Sequence, residues 1–148
     1  MTLFLTSAEL PIETRDYFPL LLNKKPQKIK VAFIPTAGYP EINKSYIEED
    51  KNKIRSLRIS DIYDVDLKEE SVQSLHKKLS PADVIYVTGG NTFYLLDWVK
   101  KSGFDKVVRN FVNKGKSISA QAPAAILPAR LSNRRIGKIQ TEVGKTLT

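Results

Sequence analysis

The stretch Val84-Ile85-Tyr86-Val87-Thr88-Gly89-Gly90-Asn91-Thr92 constrains this chain more than any other. Five β-preferring residues in a row, Val84 to Thr88, read as a strand buried on both faces. Such strands belong to parallel sheets covered by helices. The strand stops at two glycines. Asn91 and Thr92 then stand where a helix N-cap belongs, ahead of Phe93, Leu95, Leu96 and Val99 in a helical pattern that runs to Lys101. This order leaves exposed backbone N–H groups at the carboxyl end of a strand, where open α/β folds bind ligands. Glycines let a ligand approach the backbone, and a helix start favours negative charge. A tight strand-to-helix turn with no ligand satisfies the same pattern.

The flanking sequence repeats the alternation. Leu3 to Thr6, Ile29 to Ile34, Ile59 to Val65 and Ser117 to Gln121 read as further strands. Ile12 to Leu22, Ser45 to Leu57, Ser71 to Leu79 and Phe104 to Asn113 read as helices, with Pro19 kinking the first or shifting its boundary. In Ser45 to Leu57, the inward positions are Tyr46, Ile47, Ile54 and Leu57. Its Glu48-Glu49-Asp50 run reads as a solvated face, with metal binding a minor alternative. The expected fold is α/β: a mostly parallel five-stranded sheet with helices on both faces.

Composition narrows the function. With 148 residues the chain supports one core. It has no cysteine, which excludes disulfides, thiolate zinc sites and a cysteine nucleophile. No apolar run is long enough to span a membrane, and Met1 to Thr6 lacks the basic start of a signal peptide, so the expected location is the cytoplasm. Net charge is +8, but Arg130 to Thr148 carries five basic residues and one acidic one, so half the excess lies in the tail. The body is only mildly basic and no nucleic-acid motif accompanies it, so the tail reads as solvated and no nucleic-acid partner is expected.

Three segments in order carry a resemblance: Met1-Thr2-Leu3-Phe4-Leu5-Thr6-Ser7, Lys30-Val31-Ala32-Phe33-Ile34-Pro35-Thr36-Ala37, and Val84 to Thr92. Together they resemble the dipeptidase E family of serine peptidases, relatives of aspartyl dipeptidase and cyanophycinase with a class I glutamine amidotransferase-like fold. The likeness covers roughly residues 1 to 119. It implies hydrolysis of small peptides with an N-terminal acidic residue, no cofactor and no metal. It also implies a serine on a sharp strand-to-helix elbow in a Gly-x-Ser-Ala-Gly motif, an oxyanion hole drawn partly from Gly89, Gly90 and Asn91, and a histidine base far downstream.

Laid on that pattern by its Gly115-Lys116 turn, this sequence departs from it. Ala122 stands at the nucleophile position and has no hydroxyl. Pro123 stands at the next position and has no N–H, which removes one oxyanion donor. Ala124 replaces a glycine. Sliding the alignment to make Ser119-Ala120 the nucleophile pair is an alternative that shortens the strand. The one histidine, His76, precedes the central strand and reads as a surface residue. The expected organisation is an incomplete peptidase-like domain over residues 1 to 129, lacking the C-terminal part of the fold, with a basic tail over 130 to 148 that is not native family sequence.

Codon structure links these departures. Read from the third base of the Ser119 codon, Ala120 to Ile126 become nGC-nCA-rGC-nCC-nGC-nGC-nAT, compatible with Gly-Ala-Ser-Ala-Gly-Gly-Asn. The third triplet encodes only Ser or Gly, so a frame shift at or before the elbow accounts for lost serine and tail together. The expectation is a family member that is catalytically dead as written, marginally stable, and able to form homo-oligomers. The alternatives are a non-catalytic module that holds a carboxylate or a small peptide at Gly89-Gly90-Asn91, and a nucleic-acid binder acting through the tail.

Overall fold

A computed structural model describes residues 3–6 and 22–121. Its five strands form one sheet: β1 (Leu3–Thr6), β2 (Lys30–Ile34), β3 (Asp61–Asp64), β4 (Val84–Val87) and β5 (Ser117–Gln121). Their spatial order is β1-β5-β4-β2-β3, and every adjacent pair is parallel. The helices are α1 (Ser45–Ser56), α2 (Val72–Leu79), α3 (Thr92–Ser102) and α4 (Phe104–Asn113). Short 3-10 turns cover Pro26–Lys28 and Thr36–Gly38. The expected helix over Ile12 to Leu22 lies outside the described residues except for Leu22, and the tail from Arg130 lies wholly outside them. Among the described residues no helix is long and apolar enough to cross a membrane.

Strand β4, and β2 after Lys30, are apolar because both their faces are covered. Ala32, Ile34, Ile85 and Val87 point to one side and meet Leu75 and Leu79 of α2, Leu95 and Val99 of α3, and Phe104, Val107, Val108 and Phe111 of α4. Val31, Phe33, Val84 and Tyr86 point to the other and meet Ile54 of α1, with Ile29 and Ile59. There the rings of Phe33 and Tyr86 stack at 5.3 Å. Each fully buried side chain of this size stabilises by about 1.5–3 kcal/mol.

Local chemistry sets the helix ends. The Ser71 side chain accepts the Ser74 N–H and starts α2, and Asn91 does the same for α3 through the Tyr94 N–H. Gly103, at φ 71°, ends α3 and opens α4; a Cβ there would lie 2.4 Å from Val72 Cγ2. Three sequence expectations need correction. Strand β3 begins at Asp61, since Ile59 is fully buried but lies before the ladder with β2. Phe93 is 86% exposed, because α3 buries the stripe Leu95, Val99 and Ser102 instead. Asp50 is only 2% exposed, so the Glu48-Glu49-Asp50 run is not a solvated face as a whole.

Candidate functional site at the switch point between two strands

The chain leaves β2 for α1 on one face of the sheet and leaves β4 for α3 on the other. These two strands are neighbours, so the connections part between them. A crevice outside the carboxyl ends of strands, at such a switch point, is where ligands bind in open α/β sheets. Two loops meet there: the Thr36–Gly38 turn after β2, and Thr88-Gly89-Gly90-Asn91 after β4.

Their contact explains one of the two glycines. Gly90 has φ 135°, and a Cβ on it would lie 2.3 Å from the Ala37 carbonyl oxygen and 2.8 Å from the Gly38 nitrogen. Only a glycine allows this approach. The Asn91 N–H completes the dock by donating to Ala37 O at 2.8 Å, while its side-chain oxygen accepts the Tyr94 N–H at 2.9 Å. Both polar ends of Asn91 named in the sequence pattern are thus engaged in the fold. Thr88 donates its N–H to Ile34 O at 3.2 Å. Among the described residues the N–H groups of Gly89 and Gly90 have no acceptor, although Gly89 is buried. A pair of adjacent backbone donors at a helix start suits an oxygen carrying negative charge.

Buried side chains hold the loops from beneath. Asp50 reaches from α1 to accept the Thr88 hydroxyl at 2.8 Å, with Lys53 Nζ 3.8 Å away. Thr36, fully buried, donates to Asp66 at 3.1 Å and accepts the Leu67 N–H at 3.0 Å, which ties the β2 turn to the segment after β3. The Tyr39 phenol faces Asp66; burial first, then that carboxylate, pushes its pKa up to about 12. Sequence reasoning missed Asp50. The signal was its helical spacing from Tyr46 and Ile54 on the inward face. The supposed acidic cluster is dispersed, for Glu48 turns outward to pair with Arg55 at 2.6 Å, and among the described residues no three acidic or histidine side chains gather to hold a metal.

The nucleophile region divides at the edge of the described chain. Ser119 lies opposite Tyr86 inside the ladder, two residues short of the end of β5. An elbow requires the strand to end, so the alternative alignment through Ser119-Ala120 does not suit this strand. Ala122 and Pro123 lie outside the described residues, immediately after the last residue of β5. His76 is exposed in the last turn of α2, the helix that leads to the amino end of β4. The carboxyl-edge loops are at the other end of that strand.

Known proteins resemble this arrangement in sequence and in fold. The sequence model of peptidase family S51 matches residues 3–125. An uncharacterized peptidase of Listeria monocytogenes is 35% identical over 141 residues, 94% of this chain and 64% of the relative. Another from Pasteurella multocida is 30% identical over 116 residues, 77% of this chain and 56% of the relative. The chain spans between 56% and 64% of the length of these curated relatives. A crystal structure of a candidate peptidase E from Listeria monocytogenes superposes with a TM-score of 0.66 at 30% identity, covering 93% of this chain and 72% of that one. A peptidase structure from an acI-B1 actinobacterium shares the fold, with a TM-score of 0.57 at 22% identity over 81% of this chain and 53% of its own.

Proposed function

The chain belongs to peptidase family S51, and on that premise we propose that it keeps the peptide-holding edge of a dipeptidase E-type serine peptidase without the groups that cut. The observation that carries this is the N–H pair of Gly89 and Gly90, unengaged among the described residues, beside a strand whose next residue is alanine. Acyl transfer by a serine enzyme needs a hydroxyl to attack the carbonyl, a base to take its proton, and donors for the oxyanion. Ala122 cannot attack, Pro123 cannot donate, and His76 is on the helix that leads to the far end of β4. The donors at Gly89 and Gly90 remain. Small peptides with an N-terminal acidic residue are therefore held by an oxygen and released unchanged.

The test pairs calorimetric titration of the full chain with Asp-Leu against an assay for free leucine. Saturable binding with no leucine released is the expected result. Leucine release that scales with the chain's concentration, and survives repurification, contradicts it. The coding DNA supplies an independent check on why the serine is missing. An adjacent frame that reads through Gly-x-Ser-Ala-Gly at codon 122 is expected, and splicing that frame in should restore dipeptide hydrolysis.

A further inference from the structure

Tyr46 stands in the first turn of α1, and its hydroxyl is enclosed with no hydrogen-bond partner among the described residues. The hydroxyl packs on Gly38: a Cβ there would lie 2.7 Å from Tyr46 Oη and 2.7 Å from Ile47 Cδ1. Gly38 is also the residue whose nitrogen crowds Gly90 from the other loop. The phenol and the Gly89-Gly90 turn therefore meet the same residue at the switch point. A buried hydroxyl without a partner destabilises a fold, and phenylalanine would fill the same space without that cost. The residue as a whole is part-exposed, so its oxygen lies close to the surface from which a ligand would approach. Burial, then Glu41 and Asp50, hold its pKa above the ordinary 10.0, so it remains a donor at neutral pH. Those two carboxylates also bear on what it can meet. A neutral carbonyl oxygen is accommodated beside them more readily than a further anion.

We propose that Tyr46 is a ligand contact whose hydroxyl donates to a carbonyl oxygen of the peptide held at the Gly89-Gly90 loop. This deepens the peptide-holding function above and rests on it. The experiment compares the full chain with Tyr46→Phe, titrating both with Asp-Leu and melting both without ligand. The expected result is binding weakened about tenfold together with a raised Tm, because the variant loses a contact only the ligand supplies. Equal affinity in the two chains overturns the proposal and leaves the peptide-holding function standing. A lowered Tm in Tyr46→Phe also overturns it, since the hydroxyl then has a partner within the fold. If the parent chain does not bind Asp-Leu, the peptide-holding function falls and the proposal falls with it.

Discussion

The two edges of this one sheet present different polar groups. At the amino edge, charged side chains tie the strand ends together. Lys24 pairs with Asp83 at 2.6 Å, and the other Asp83 oxygen accepts the Lys30 N–H at 3.0 Å. Lys116 donates to Ser80 O and Ala82 O at 2.6 and 2.7 Å and lies 5.1 Å over the Phe111 ring. Burial lowers its pKa, yet it keeps these partners. At the carboxyl edge the supports beneath the loops are just as well matched, through Asp50 to Thr88 and Thr36 to Asp66. The loop tip and the start of α1 are not: the Gly89 and Gly90 N–H groups and the Tyr46 hydroxyl have no acceptor among the described residues. Among the described residues these carboxyl-edge donors are left for a ligand oxygen, as the proposed peptide-holding function requires.

The largest effect should come from the dock between the loops. Gly90→Ala drives a Cβ into the Ala37 carbonyl at a positive φ and should cost about 3–4 kcal/mol by denaturant unfolding. Gly115→Ala, also at positive φ but with nothing within 4 Å, should cost about 1 kcal/mol. Equal losses would break the claim that close backbone approach, and not the dihedral alone, fixes the carboxyl edge.

Next comes the buried support. Asp50→Ala leaves the Thr88 hydroxyl without its acceptor and should cost about 2–3 kcal/mol, whereas Glu49→Ala on the exposed face should leave Tm unchanged. Lys116→Met sharpens the contrast from the other side. It should cost about 1 kcal/mol while leaving Asp-Leu affinity where it was.

The smallest effect is with pH. Tyr39 has its pKa raised from 10.0 to about 12 in the fold, so in that window the unfolded phenol ionises while the folded one stays protonated. Its contribution is complete below pH 10 and is lost as pH rises toward 12. Stability should fall shallowly across the window, because solvent screens a part-exposed group, and Tyr39→Phe should flatten the fall.

Much of this was legible in the sequence for a local reason. The run Val84 to Thr88 announces a doubly covered strand, Asn91 caps the helix it precedes, and Phe104 to Asn113 shows its buried face as Val107, Val108 and Phe111. What local pattern hid was decided by distant partners. Asp50 looked solvated beside Glu48 and Glu49, yet its partner Thr88 is 38 positions away. The Gly-Gly pair suggested room for a ligand, but Gly90 is needed first to clear Ala37. Asn91, expected among the oxyanion donors, has its N–H committed to that same carbonyl. Phe93 fitted an apolar helix pattern and is exposed, because α3 turns a neighbouring stripe to the core.

The most direct measurement follows the backbone amides of the isotopically labelled full chain by NMR while Asp-Leu is added. Saturable downfield shifts of the Gly89 and Gly90 amide protons, with Gly115 and Lys116 unmoved, are the predicted result. Shifts at the amino edge with Gly89 and Gly90 unchanged would contradict the account, and so would no shift at either edge.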